Sequence, residues 1–74
     1  MTIKKIIGEN GAQPLLCKTG GCPAAILTEG DDIFVQGYLP ATAEENQLNA
    51  PGGEGFVKMS RGTFEKIARQ VLAS

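Results

Sequence analysis

The 74-residue chain contains no histidine and no long apolar run. Histidine is the commonest general base and the commonest zinc ligand, so its absence excludes most hydrolytic triads and histidine-based metal sites. No stretch approaches the roughly 18 to 20 apolar residues that span a bilayer. Gly8, Glu9 and Asn10 interrupt the only apolar start that a secretory signal could use. We therefore expect a cytoplasmic, non-enzymatic protein with no membrane partner.

The sequence also lacks a charge excess. Seven basic and eight acidic residues give a net charge of -1, whereas nucleic-acid binders usually carry a clear basic surplus. Neither glycine pair matches a phosphate-cradling loop or a dinucleotide fingerprint. We expect no cofactor, and direct nucleic-acid binding is the third and least favoured of the functional hypotheses.

The chain nevertheless has a globular composition, with 42% hydrophobic and 20% charged residues. Its length predicts a single domain over residues 1–74. A domain this small buries only about 60% of the surface that its unfolded chain exposes, so the core must be thin. A disulfide, a metal or a second copy of the chain would add stability.

Alternating and β-branched residues predict two hairpins. The first joins residues 2–8 to a run beginning at residue 13, through a tight turn at Asn10-Gly11. The second joins residues 24–28 to 33–39 through the four-residue loop 29–32. Because residues 33–39 carry apolar side chains on both faces, they predict a central strand. Gly37 marks a bulge or a close approach there.

The second half of the chain begins with a long loop over residues 40–55. Thr42 and Glu45 have capping-box spacing, so this stretch is either a short helix running to about Leu48 or a solvated linker. Residues 55–60 return to a strand pattern, and Ser60 can cap a following helix.

An amphipathic helix is predicted over residues 61–73. Its apolar side chains recur at helical spacing, and Glu65 with Arg69 forms an i, i+4 pair on the other face. The stripe consists of Phe64, Ile67, Ala68, Val71 and Leu72. The predicted fold class is α+β: a small antiparallel sheet of four to five short strands, with the C-terminal helix packed on one face.

Cys17 and Cys22 flank a Lys-Thr-Gly-Gly turn and permit several interpretations. One chain supplies too few ligands for a closed zinc site, but a dimer could pool four thiolates. A disulfide is geometrically possible across the two glycines, although a reducing compartment would not preserve it. The remaining readings are small buried side chains beside a corner, or a reactive thiol at Cys22.

The C-terminal segment is locally basic. Four cations stand there against Glu65, and they are either a solvated helix face or a contact surface for an acidic partner. These candidate partner-binding residues are Lys58, Arg61, Lys66 and Arg69.

Read as a whole, the sequence resembles a group of small uncharacterised bacterial proteins with a Cys-Pro and Val-Gln-Gly pattern. In that group the domain is often encoded beside a helix-turn-helix regulator. The resemblance implies an accessory or antitoxin-like role as partner of a transcription regulator, although the first fifteen residues and the longer spacer depart from the pattern. The matching positions are Cys22, Pro23, Gly30, Asp31, Val35, Gln36, Gly37, Gly53 and Glu54.

Two functional hypotheses rank above nucleic-acid binding. The first is a non-enzymatic interaction module that binds another protein, such as a helix-turn-helix regulator, or itself as a homodimer, through a sheet edge or the 61–73 helix. The alternative is a dimeric protein with a zinc or redox site at Cys17 and Cys22.

Overall fold

The computed structural model describes residues 1–14 and 23–74. These residues form a four-stranded antiparallel sheet and two helices, in the chain order β1 (Ile3–Gly8), β2 (Gly11–Gln13), β3 (Ala24–Thr28), β4 (Ile33–Gln36), α1 (Thr42–Leu48) and α2 (Arg61–Ala73). The strand order across the sheet is β2-β1-β3-β4. The predicted α+β class is confirmed.

The first hairpin is present, but its turn lies one residue earlier than expected and its second arm is Gly11–Gln13, which ends where the predicted run begins. Gly8 pairs with Gly11, so Glu9 and Asn10 occupy the turn itself. Gly11 has φ +118°, a backbone conformation that favours glycine because it has no Cβ to clash. The cysteines and most of the run predicted after Gln13 lie outside the described residues.

The second hairpin is also confirmed, but the predicted central position of its second arm is wrong. Strand β4 lies at the sheet edge, and β3 occupies the interior by pairing with β1 on its other side. Neither face of β4 is fully covered by another layer among the residues that the structure describes. Ile33, Phe34 and Val35 are each about half exposed.

Residues 55–60 do not form a fifth strand within the described part of the chain. They contribute one bridge, in which the Tyr38 N–H donates to the Lys58 carbonyl at 2.9 Å and the Lys58 N–H donates back at 2.7 Å. The pairing ends there because Ser60 already caps α2. This bridge explains Gly37, where an added Cβ would lie 3.0 Å from the Lys58 carbonyl oxygen. The predicted close approach at Gly37 is confirmed.

The loop predicted over residues 40–55 contains a short helix rather than a plain linker. Helix α1 has the predicted extent, but its N-cap is Ala41 and not Thr42. The Glu44 carboxylate accepts a hydrogen bond from the Ala41 N–H at 2.8 Å, which satisfies one of the unpaired donors at a helix start. The helix ends at Asn49, which adopts a left-handed conformation.

Helix α2 matches its prediction at both ends. The Thr63 N–H donates to the Ser60 hydroxyl oxygen at 3.1 Å, which is the predicted cap. Near its other end, the Gln70 side-chain amide donates to the carbonyls of Gly8 and Glu9 at 3.1 and 3.0 Å. These bonds fix α2 to the β1–β2 turn. Neither described helix is long and apolar enough to cross a membrane.

The core lies where α2 crosses the middle of the sheet. Ile7 and Ala25 are cross-strand partners, and cross-strand partners point to the same face of a sheet. Both are buried, as is Ile67 of α2. On the opposite face, Ile6 and Ala24 are also buried. No large side chain among the described residues is less than 2% exposed, so this core is as thin as the chain length predicts.

Candidate interaction surface

The four predicted cationic candidates are all ion-paired within the chain. Lys58 bonds Glu44 at 2.9 Å and Lys66 bonds Glu9 at 3.1 Å. Glu65 receives Arg61 at 3.0 Å and Arg69 at 3.7 Å, so the predicted i, i+4 pair is confirmed. The structure thus places Arg61 and Arg69 together, Lys58 beside α1, and Lys66 beside the first hairpin. Because Arg61 and Arg69 share Glu65, three carboxylates face the four cations, and the basic excess seen in the sequence is reduced to about one charge.

Cys17 and Cys22 lie outside the described residues, and nothing in the structure bears on their chemistry. Within residues 1–14 and 23–74, no group of three or more acidic, cysteine or histidine side chains is arranged to hold a metal ion.

A continuous apolar groove lies on the surface of the described chain. It consists of two cavities of about 670 and 270 Å³ that share Val35, Met59 and Phe64. We call it the α2–β4 groove. Its larger part lies between β4, α1 and the start of α2, and its smaller part follows α2 to its end. The apolar lining consists of Ala25, Ile33, Val35, Pro40, Leu48, Phe56, Val57, Met59, Phe64, Ile67, Ala68, Val71 and Leu72.

The groove leaves large hydrophobic side chains in solvent. Val35 is 51% exposed, Phe64 is 58% exposed and Leu72 is 86% exposed. Ile67 from the same helix is only 6% exposed because it sits over the central strands. The apolar stripe of α2 is therefore wider than the part of the sheet that covers it. Contiguous exposed apolar surface of this kind marks a contact site in a soluble protein.

The rim of the groove is polar and carries Glu44, Lys58 and Arg61. Glu44 and Lys58, whose ion pair connects α1 to the 56–59 segment, both line the larger cavity. The hydrogen bond from Lys58 lowers the pKa of the Glu44 carboxyl, and the Ala41 N–H lowers it further. The Glu44 carboxyl is thereby favoured in its charged form, joined to the Lys58 ammonium at 2.9 Å.

Sequence reasoning identified the apolar residues of α2 and β4 that line this groove but placed them in the core, and it placed Pro40 and Leu48 in the loop over residues 40–55. The stripe on α2 was expected to be covered by the sheet, and β4 was expected to be central. One signal could have revealed the groove: β4 and α2 together carry more apolar side chains than a four-stranded sheet can cover with one helix. The sequence instead predicts a partner-binding site among the cations, most of which lie on the polar side of the same helix.

Comparisons of the chain with protein-family models, with curated proteins and with solved structures give no significant match.

Proposed function

We propose that this protein is a non-enzymatic interaction module that binds another protein chain through the α2–β4 groove. The observation that carries the proposal is the run of half-exposed apolar side chains along the groove, from Leu48 and Val35 to Phe64 and Leu72. Burial of such surface is the main favourable term in protein association.

The groove suits a protein better than a small ligand. Small-molecule sites combine an apolar wall with a few convergent polar groups that orient the ligand. Here the Glu44 and Lys58 side chains engage each other, so the rim offers few unengaged charged groups to a small molecule. An amphipathic helix, which presents apolar side chains at i, i+3, i+4 and i+7, matches a long apolar groove.

The partner expected from the sequence resemblance, a transcription regulator, belongs to this proposal as one candidate. Helical regulators present amphipathic surfaces of the required kind. The contact that we propose is apolar, however, and the ion-paired cations Lys58 and Arg61 lie at its rim rather than at its centre.

A photo-crosslinking experiment tests the proposal. A benzophenone amino acid replaces Phe64 inside the groove or, as a matched control, Phe34. Phe34 is 50% exposed, close to the 58% of Phe64. Its cross-strand neighbour is Ile26 rather than the groove residue Ala25, so it lies on the opposite face of the sheet.

Irradiation of native host cells should give a discrete protein adduct from position 64 and none from position 34. Mass spectrometry of the adduct would identify the bound chain. Equal labelling from both positions, or no adduct from position 64, would contradict the proposal.

A further inference from the structure

We infer that the chain bound in the α2–β4 groove is a second copy of this protein, in a twofold-symmetric dimer that packs the exposed stripe of α2 against the partner's groove. This inference rests on the proposed function and names its partner. Four observations support it: the size of the core, the area of the groove, its charge and its shape.

The core is small compared with the apolar surface that the chain leaves exposed. The buried hydrophobic residues of the described chain are two isoleucines from β1, two alanines from β3 and Ile67. Twelve large hydrophobic side chains in the same part of the chain are at least 40% exposed. A surface that resembles a domain core cut in half is typical of obligate homodimers. A second copy is the one partner that is always present in equal amount.

The exposed area of the groove matches the requirement of a stable dimer. Its seven large exposed side chains are between 41% and 86% exposed: Ile33, Val35, Leu48, Phe56, Val57, Phe64 and Leu72. Since a fully buried aromatic side chain covers roughly 150 to 250 Å², the two phenylalanines present on the order of 100 Å² each, and the five smaller aliphatic side chains present similar or smaller areas. The total of roughly 600 to 700 Å² approaches the roughly 800 Å² that each partner contributes to a standard interface.

The charge pattern permits two identical surfaces to meet. In a twofold interface the same patch occurs on both sides, so an unbalanced charge near the axis faces its own copy. Three charged side chains line the groove: Lys58 and Glu44 are joined at 2.9 Å, and Arg61 is joined at 3.0 Å to Glu65, which lies outside the lining. The whole chain has a net charge of only -1, so repulsion between two copies is weak.

The shape of the surface is self-complementary. Leu72 and Phe64 project from α2, while the cavity of about 670 Å³ opens between α1, β4 and the start of α2. A twofold axis close to α2 lets the projecting side chains of each copy enter the groove of the other. This is the helix-in-groove mode, with α2 as the bound helix.

The test measures the native mass of the purified chain and of two matched variants by sedimentation. Leu72→Glu changes a groove side chain that is 86% exposed in the single chain. Leu39→Glu adds the same charge at a position that is 85% exposed and does not line the groove. Neither change removes a buried contact within one chain, so circular dichroism should show both variants folded.

We expect the unmodified chain and Leu39→Glu to have twice the chain mass of 7.8 kDa. Leu72→Glu should raise the dimer dissociation constant at least about a hundredfold, because both copies lose a buried leucine at the contact. As a measurement on the unmodified chain, hydrogen exchange in residues 33–36 and 61–73 should slow as the concentration rises, since dimerisation stabilises by mass action.

Two outcomes would overturn the inference, and the crosslinking result then decides whether the proposed function fails with it. A folded monomer at every concentration up to near-millimolar excludes the dimer. Equal dissociation by both variants, or by neither, places the contact elsewhere. If the chain is monomeric and the benzophenone at position 64 captures a different protein, the inference fails while the proposed function stands. If the chain is monomeric and position 64 gives no adduct, both the dimer and the proposed function fail.

Discussion

Helix α2 has one side that is buried against the central strands and another side, toward β4, that is largely exposed. Over the central strands, Ile67 is almost fully buried near Ala25, and Gln70 bonds the turn that follows β1. Over the edge strand β4, Phe64 and Leu72 leave much of their surface in solvent. The first side provides the stability of the fold. The second side has the same apolar composition but no cover within the described chain, so composition alone does not distinguish a core residue from a contact residue.

The largest expected effect distinguishes the two sides directly. Ile67→Ala removes a side chain that is 6% exposed and should destabilise the domain by about 2 to 5 kcal/mol, from lost burial and a residual cavity. Leu72→Ala, in the same helix, should change the stability of the single chain by less than about 0.5 kcal/mol because it lies in solvent. Urea denaturation at a concentration that keeps the protein monomeric measures both.

A small domain can lose all of its stability to a loss of that size. If Ile67→Ala is unfolded from the start, Ile67→Val should still fold with a loss of about 0.5 to 1.5 kcal/mol. If the substitutions at positions 67 and 72 lowered the free energy of unfolding of the monomer equally, the two sides of α2 would contribute equally to stability, contrary to the prediction.

Local signals in the sequence predicted most of the fold. The Glu9–Asn10 turn, the loop before Ile33 and the Ser60 cap act over two to five residues, and the predicted end of β1 and starts of β4 and α2 are correct. The second arm of the first hairpin and the end of β4, predicted at residue 39, are misplaced. The position of β4 in the sheet depends instead on pairing between β1 and β3, which are separated by a long connection. No local pattern encodes that choice, so the edge position was mistaken for a central one.

The candidate site was less predictable than the fold, for a related reason. The apolar stripe of α2 was recognised, but its coverage depends on how much sheet lies beneath it. Phe64 and Ile67 belong to the same apolar stripe in the sequence, yet Phe64 is 58% exposed and Ile67 is 6% exposed. The ion pairs of Lys58 with Glu44 and Lys66 with Glu9 also join residues distant in sequence, so the partial neutralisation of the basic face could not be read from local charge spacing.

The next largest expected loss of stability comes from a substitution of Gly37, which lies beside the Tyr38–Lys58 bridge. At Gly37, an added Cβ would lie 3.0 Å from the Lys58 carbonyl oxygen and 3.1 Å from Val57 Cβ. Gly37→Ala should therefore cost about 1 to 3 kcal/mol by overpacking, and it should weaken the Tyr38–Lys58 bridge that holds one wall of the groove. Thermal unfolding and amide exchange at Lys58 measure the two consequences.

Gly62 provides a control, because the same substitution there should raise the stability of the fold. It lies in the first turn of α2 with open space around an added Cβ, so Gly62→Ala should stabilise by up to about 1 kcal/mol through helix propensity. A Gly37→Ala variant that is as stable as Gly62→Ala would show that the close approach at Gly37 is not required.

The smallest expected effect concerns the rim of the groove, where Glu44 and Lys58 meet. The hydrogen bond from Lys58, followed by that from the Ala41 N–H, lowers the pKa of the Glu44 carboxyl in the folded chain. A carboxyl with a lowered pKa stabilises the fold above its unfolded pKa, and that contribution is lost as the pH falls through the folded pKa. Lys58→Met should return the Glu44 pKa toward the ordinary glutamate range.

Carbon-detected NMR titration of the Glu44 carboxyl measures this shift, and Lys66→Met is the matched control because its ion pair with Glu9 lies away from the groove. The control should leave the Glu44 pKa unchanged. The pair is solvent-exposed on both sides, so its effect on stability should be small even where the pKa responds clearly. A Glu44 pKa unaffected by Lys58→Met would mean that α1 is not held to the 56–59 segment, and that the groove between them has no fixed wall.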